Sequence, residues 1–348
     1  MDSKVHERYL SELLGQSGLP PGLPWTSPLV RDLAWSIGSP PLVCPEDPGN
    51  LWPGGDWFRG QLSGFTAQLD ALDRDAKATA DLLARSHDQR LGTYFESLLA
   101  LWLEHDPRYE LLARNLPVRQ PRKGGGRETL GELDMLVMNH ALNRVEHWEV
   151  AVKFYLGRLP VIGGPAHEQW VGPGLKDRLD TKVARLLDHQ LRLPEHPRAR
   201  ALLHKRGLKV AGSRVLMKGR LFYPLTARPG PPALAAPEHL RGWWLRIGAF
   251  PGPFKTRDWS WRCLSRREWL APVAEVPGRQ PVCLDACSFA RTEAIQGASW
   301  PRMVAALSGG RELTRGFLVP DSWGTGRAAG AETAAARRPY AARGDEDS

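Results

Sequence analysis

The sequence predicts an α/β fold in which a mixed sheet is flanked by helices. An amphipathic helix precedes three strand-like segments, and a second helix and a further strand follow them. The connections between the three strands are short, which favours antiparallel neighbours. The core elements are expected at residues 89–104 (helix), 109–118, 129–139 and 144–156 (strands), 175–191 and 197–205 (helices) and 213–223 (strand).

Hydrophobic periodicity carries these assignments. Apolar residues recur at three- and four-residue spacing through both long helices, which is typical of a helix with one buried face. Asp106 and Pro107 end the first of these helices. The three strand segments have the length and composition of strands in a buried sheet.

The remaining regions are organised around this core, which spans residues 87–225. Residues 1–86 form an N-terminal extension, irregular at first because Pro and Gly recur, with helices expected at 27–37 and 61–86. A loop is expected at 157–174. Residues 226–323 form a small tryptophan-rich C-terminal region with a strand at GWWLRIGAF, and residues 324–348 are expected to be a disordered tail.

Composition narrows the classes of function. The net charge of +9 favours polyanionic partners, although a generally arginine-rich composition without any nucleic-acid role explains it equally well. The four cysteines have no C-x-x-C spacing, so we expect neither a zinc site nor a disulfide scaffold. No signal peptide and no apolar run of membrane-spanning length occurs. We therefore expect a cytoplasmic protein without a membrane partner, and the oligomeric state stays open.

One strand carries charged residues where burial is expected. Along 144–156, side chains alternate between faces, so Glu149, Ala151, Lys153 and Tyr155 lie opposite a wholly apolar face. A buried lysine without an acidic partner costs several kcal/mol or loses its charge. Lys153 therefore requires a carboxylate nearby.

The preceding strand supplies candidate acids. Glu132 and Asp134 share a face there, and HALN connects the two strands as a tight hairpin loop. This hairpin is expected to place Asp134 near Ala151, and Glu132 near Lys153. Carboxylates beside one lysine suit divalent-metal chemistry on phosphates, with Mg²⁺ or Mn²⁺ held by oxygen ligands and the lysine positioning the attacking water. A structural ion pair between the strands is the alternative.

The residues GELD and WEVAVKFYL, in this order of elements, resemble the PD-(D/E)XK or restriction-endonuclease-like nuclease superfamily, and an uncharacterised bacterial family near it. The resemblance implies a restriction-endonuclease-like core over about residues 88–224. Its pattern maps an acid to Asp134, a lysine to Lys153 and a helix glutamate to Glu96. It also implies an auxiliary polar residue on the second helix, Lys182 or Gln190.

One departure from the superfamily pattern concerns Ala151, where an acid is expected two residues before the lysine. Glu149 is then a displaced metal ligand, or Glu132 or Glu96 replaces the missing acid, or metal binding is weakened or lost. The function implied is a metal-dependent nuclease acting on DNA or RNA. The alternative is an inactive scaffold that binds nucleic acid or protein.

Two further features bear on nucleic-acid binding. In the segment RKGGGR, the side chains of Arg122, Lys123 and Arg127 are candidates for phosphate contacts, with a mobile solvated loop as the alternative. The tryptophans of the C-terminal region are candidates for base stacking, against a plain packing role in a second core.

Overall fold

A computed structural model describes residues 24–45, 51–75, 90–158, 169–227, 230–273 and 284–325. The α/β class is confirmed: helices flank a mixed sheet that has nine strands within these residues. The tail expected at 324–348 lies outside the described residues from 326 onward, and so does the expected helical segment over 76–86.

The helices and strands from residue 91 to residue 224 occur in the order expected for the core. Further helices precede them in the chain, and further helices and strands follow them. The helices are α1 (Pro28–Gly38), α2 (Gly55–Ser63), α3 (Thr66–Arg74), α4 (Leu91–His105), α5 (Leu179–Arg185), α6 (Pro197–Lys205), α7 (Ala286–Ala290) and α8 (Glu293–Gln296). The strands are β1 (Tyr109–Pro121), β2 (Arg127–Asn139), β3 (Arg144–Gly157), β4 (Trp170–Val171), β5 (Val210–Pro224), β6 (Arg241–Arg246), β7 (Ser260–Cys263), β8 (Arg302–Ser308) and β9 (Arg311–Val319).

The sheet has the strand order β1-β2-β3-β5-β6-β9-β8-β7, with β4 paired to the end of β3. The first three strands are antiparallel, as predicted from their short connections. The run β3-β5-β6-β9 is parallel, and β9-β8-β7 is antiparallel again. Strands of the tryptophan-rich region therefore extend the same sheet that contains the three antiparallel strands.

The sheet lies between two apolar layers. Helices α1 to α4 pack on one face, where Trp102 of α4 meets Trp148 of β3 with ring centroids 5.8 Å apart. Helix α5 packs on the other face beside Tyr155 of β3. The alternation predicted for β3 is confirmed, because Val150 and Phe154 lie in the first layer. Helix α6 covers β1 and β2 in a smaller cluster.

Three expected elements differ in the structure. The single helix expected over 61–86 was wrong within the described residues, since Gly64 ends α2 and the fully buried Phe65 separates it from α3. The expected loop 157–174 contains β4. The helix expected from residue 175 begins at Leu179, because a turn holds Leu175 at a left-handed φ of 63°.

The strand expected at GWWLRIGAF ends at Arg246 and continues as a 3-10 turn, Ile247–Ala249. Most tryptophans of this region pack inside the protein, as Trp243 and Trp261 do with no exposed surface, whereas Trp300 is 54% exposed. No helix among the described residues is long and apolar enough to cross a membrane.

A close backbone approach joins β3 to β5. Gly219 of β5 pairs with Lys153 and has a φ of 143°, a conformation that side chains disfavour. A Cβ at Gly219 would lie 1.7 Å from the carbonyl oxygen of Lys153. Glycine at this position therefore sets the spacing of the two strands where the candidate site begins.

Candidate functional site

The candidate site lies where β2 and β3 separate. The two strands pair from Asn139 and Arg144 as far as Met135 and Trp148. Beyond that point β2 pairs with β1 and β3 pairs with β5. The next position along β2 is Asp134, and the same register continued by one residue aligns it with Glu149. We call this point of separation, with Asp134 and Glu149, the fork. The expectation that Asp134 falls near Ala151 was wrong by two residues, which still leaves Asp134 on the expected face.

Asp134 is held at this fork by a backbone hydrogen bond from β3. Its Oδ2 accepts a hydrogen bond from the backbone N–H of Val150, at 3.1 Å. The pKa of Asp134 is raised to about 7, first by burial and then by the nearby carboxylates of Glu149 and Glu96. The hydrogen bond from Val150 and the ammonium of Lys182 act in the opposite direction. The fork thus concentrates negative charge.

Glu149 is held by the second helix. Only 1% of the surface of Glu149 is exposed. The side-chain amide of Gln190 donates to Glu149 Oε2 at 2.6 Å, and Lys182 Nζ donates to Gln190 Oε1 at 3.2 Å. Burial lowers the pKa of Lys182, although the Glu149 carboxylate opposes this effect. Gln190 and Lys182, expected only as auxiliary residues, therefore connect α5 to the acid on β3.

The local backbone explains how Gln190 reaches the fork. Helix α5 continues into a π-helical turn, Leu186–Gln190, whose wider turn changes the direction of the side chains that follow. The turn packs against β2, where a Cβ at Gly131 would lie 3.2 Å from His189 and 3.0 Å from Leu193. π-turns occur frequently at functional sites.

Lys153 has a different partner from the one expected. Its Nζ lies 2.6 Å from Asp177 Oδ2, and the Tyr155 hydroxyl donates to Asp177 Oδ1 at 3.4 Å. The expected ion pair between Asp134 and Lys153 was wrong, because β2 has already left β3 at this level while the turn before α5 brings Asp177 there. Lys153 remains close enough to Lys182 to lower the pKa of that amine.

The other two acids lie at the margin. Glu96 on α4 accepts from the side-chain amide of Asn115 at 3.3 Å and lies 3.6 Å from Arg114 Nη2. Glu132 is exposed and pairs across β1 with Pro117. The expectation that Glu132 falls near Lys153 was wrong, since β2 pairs with β1 and not with β3 at this level.

Two residues of the site were not predicted. Asp177 lies outside the predicted strands, within a predicted helix. His147 lies on β3 two positions before Glu149, with its Nε2 3.0 Å from Glu149 Oε1. The direction of this contact does not suit a hydrogen bond, and both buried ring nitrogens of His147 and Glu149 Oε1 lack hydrogen-bond partners among the described residues. The alternation HxE along a buried strand was the signal available for His147.

The predicted phosphate-contacting residues, Arg122, Lys123 and Arg127, are exposed in the hairpin that joins β1 to β2. Within the described ranges, the structure brings together no group of three or more His, Cys, Asp or Glu side chains with the spacing of a metal site. Oxygen ligands for a dication would come from Asp134 and Glu149.

A family model described as Domain of unknown function (DUF1853) matches residues 31–319. The chain belongs to this family. The match includes α4, β1 to β3 and α5, and therefore every residue of the fork in this DUF1853 chain. Comparisons with curated proteins and with solved structures found no match.

Replacing Gln190 by alanine is expected to lower the free energy of unfolding of the DUF1853 chain by about 1–3 kcal/mol, because Glu149 would then be buried without a hydrogen-bond donor. Urea unfolding measures this change. The matched control is Asp188→Ala, an exposed position on the same π-turn, with an expected change within about 0.5 kcal/mol. Equal changes in the two variants would mean that the Gln190–Glu149 bond contributes nothing.

Proposed function

We propose that this protein is a metal-dependent nuclease that hydrolyses phosphodiester bonds of nucleic acid. The observation that carries the proposal is the pair Asp134 and Glu149 at the fork of β2 and β3. Glu149 is buried and Asp134 is half-buried, and among the described residues neither carboxylate forms an ion pair with lysine or arginine. Such a pair is costly by itself and becomes favourable when a dication binds.

The residues present fit Mg²⁺ or Mn²⁺. Among the described residues, Glu149 Oε1 is buried without a hydrogen-bond partner. The pKa of Asp134 is raised by burial and then by the Glu149 carboxylate, and a cation would offset that second effect. Mg²⁺ commonly takes one or two carboxylates and completes its shell with water and substrate oxygens. When bound, the ion supplies Lewis-acid polarisation of a phosphoryl oxygen and lowers the pKa of a bound water.

The chain's own groups perform the remaining tasks. Gln190 orients Glu149, and the Val150 N–H orients Asp134. Lys182 and Lys153 place two ammonium groups beside the fork, where they are suited to stabilise charge that develops on a phosphate. We assign the positioning of the attacking water to one of these two amines. Glu96, on the margin, is a candidate third acid.

The order of elements supports the same proposal. A helix, three antiparallel strands, a second helix and a strand parallel to the third follow one another from α4 to β5. This is the order of a restriction-endonuclease-like core, and the candidate acids lie on its second and third strands. We propose that α4 to β5 form such a core.

An inactive scaffold that binds nucleic acid or protein is the second candidate. The 2.6 Å ion pair of Lys153 with Asp177 favours it, together with Ala151 in place of the expected acid. In a scaffold, the ion pair of Lys153 with Asp177 would serve only to connect β3 to the turn before α5.

The nuclease proposal is tested by incubating the full chain with plasmid and with single-stranded DNA and RNA in the presence of Mn²⁺. We expect cleavage that EDTA abolishes. Absence of cleavage of all of these substrates would contradict the proposal.

A thermal-shift measurement separates the two candidates. Mn²⁺ is expected to raise the melting temperature of the wild type, because binding to the native state alone stabilises it by mass action, about 2.7 kcal/mol at a hundredfold excess over Kd. No such shift is expected for Asp134→Asn. Glu132→Gln, an exposed position on the same strand, serves as the control and should respond like the wild type. A scaffold predicts no response to Mn²⁺ in any of the three.

A further inference from the structure

A shallow basic groove lies between the outer end of the β1–β2 hairpin and helix α6. Its floor is formed by small or aliphatic side chains, among them Leu116 and Leu202. Among the residues that the structure describes, five cationic side chains line it, and no acidic or aromatic side chain does. These are Arg119, Arg127, Arg198, Lys205 and Arg206.

The charges of this groove have no internal compensation. All five cations are exposed, and none forms an ion pair with an acid in the described part of the chain. Like charges gathered on one surface repel each other and raise the local concentration of anions. Because the cations come from both strands of the β1–β2 hairpin and from α6 with the residue after it, the groove is built by the fold and not by a run of basic sequence.

The groove is connected to the acidic fork by a single strand. Arg127 is the first residue of β2, and Asp134 lies seven positions later on the same strand. Seven residues of extended strand span about 24 Å. Consecutive nucleotides of one DNA strand rise by about 3.4 Å, so the two sites are about seven nucleotides apart.

We propose that this groove binds the sugar–phosphate backbone of a double-stranded nucleic acid whose neighbouring segment reaches the fork at Asp134. The inference rests on the proposed nuclease function and specifies how its substrate is held. Four of the five cations are arginines, whose planar guanidinium groups contact phosphate oxygens in pairs. Proteins that bind single strands typically add aromatic platforms for the bases, and no aromatic residue of the described ranges lines this groove. The contact is therefore independent of base sequence.

The test is fluorescence anisotropy of a labelled duplex of about 24 base pairs, long enough to cover both sites, titrated with the full chain in EDTA at several salt concentrations. The groove variant is Arg198→Ala/Lys205→Ala/Arg206→Ala. The matched control is Lys255→Ala/Arg302→Ala/Arg311→Ala, which removes the same charge from exposed positions outside the groove. Each phosphate contact contributes about 0.9 to the slope of log affinity against log salt. The groove variant is therefore expected to lose about 2–3 from this slope and at least tenfold in affinity.

The control variant is expected to change affinity less than about threefold, since it removes only distant charge. Equal losses in both variants would overturn the proposal, because net charge alone would explain binding. Tighter binding of a single strand than of the duplex would overturn it too, as would displacement of the duplex by polyglutamate as readily as by unlabelled duplex. Duplex DNA and duplex RNA arms show which double helix is preferred, and preferential binding of either supports the inference.

A second variant guards against loss of folding. Arg119→Gln/Arg127→Gln removes two cations from the hairpin wall of the groove, and its slope should fall by about 2. Because binding is measured in EDTA, its outcome is separate from cleavage. Groove-dependent binding without cleavage by the wild type would reject the nuclease and keep the groove. Cleavage that requires Asp134, together with undiminished binding by both groove variants, would reject the groove and keep the nuclease.

Discussion

Replacing Asp134 by asparagine is expected to lower Mn²⁺-dependent cleavage at least about 10³-fold. Asparagine keeps an oxygen for the Val150 N–H but loses the charge that a dication requires. Lewis-acid assistance is worth several kcal/mol of transition-state stabilisation, and about 1.4 kcal/mol corresponds to a factor of ten in rate. Initial rates of plasmid cleavage over a range of Mn²⁺ concentrations measure the effect.

The control for this experiment is Glu132→Gln. Glu132 lies two positions before Asp134 on β2. Its side chain is exposed, and its backbone pairs with Pro117 of β1. Its variant should cleave at the wild-type rate. Cleavage by Asp134→Asn at the wild-type rate would remove the fork from the mechanism, even if the protein proved to be a nuclease.

The comparison of Lys182→Ala with Lys153→Ala then assigns the water-positioning amine. Lys182 contacts Gln190, which holds Glu149, whereas Lys153 is engaged by Asp177. The amine that acts on the reacting water will lower the turnover number when removed, while the other will change mainly the stability or the Michaelis constant.

A second large effect is expected at Glu146, near the start of β3. Its side chain is 1% exposed and receives hydrogen bonds from Arg144, Arg214 and Trp148. Replacing Glu146 by alanine leaves Arg214 largely buried without its acid, and removing one partner of a buried ion pair costs about 3–5 kcal/mol. Urea unfolding at neutral pH measures the loss in free energy of unfolding.

The pH dependence of stability gives a second readout for Glu146. Burial by itself raises the pKa of Glu146, but the hydrogen bonds from Arg214, Trp148 and Arg144 outweigh it and lower the pKa from its ordinary value of 4.5 to about 2. The stabilisation is therefore complete above about pH 4.5 and is lost as the pH falls toward 2. In Glu146→Ala this loss should be absent from the acid limb of the curve.

Glu110→Ala is the matched control for Glu146. Glu110 is an exposed glutamate of the same sheet, on β1, and its replacement should change the free energy of unfolding by less than about 0.5 kcal/mol. If Glu146→Ala is no more destabilising than Glu110→Ala, the cluster of Glu146 with its two arginines does not anchor β3 to β5.

Local sequence determined the elements of the core. The apolar stripe of α4 and the alternation along β3 follow from the periodicity of helix and strand, which needs only neighbouring residues. The helix expected at 27–37 is α1, which begins at Pro28, one residue later than expected. The acids Asp134 and Glu149 were also found from their places on these strands, whereas Gln190 was indicated only by the resemblance to the nuclease superfamily.

The partners within the site were decided by the tertiary structure. Lys153 pairs with Asp177 and not with Asp134, because the pairing of β2 with β3 ends at Met135. The point at which two strands stop pairing depends on the packing of the whole sheet. Gln190 reaches Glu149 through a π-turn 41 residues away in sequence. The basic groove likewise joins a hairpin to a helix about 70 residues later. Such contacts depend on long-range packing, which the pattern of nearby residues does not encode.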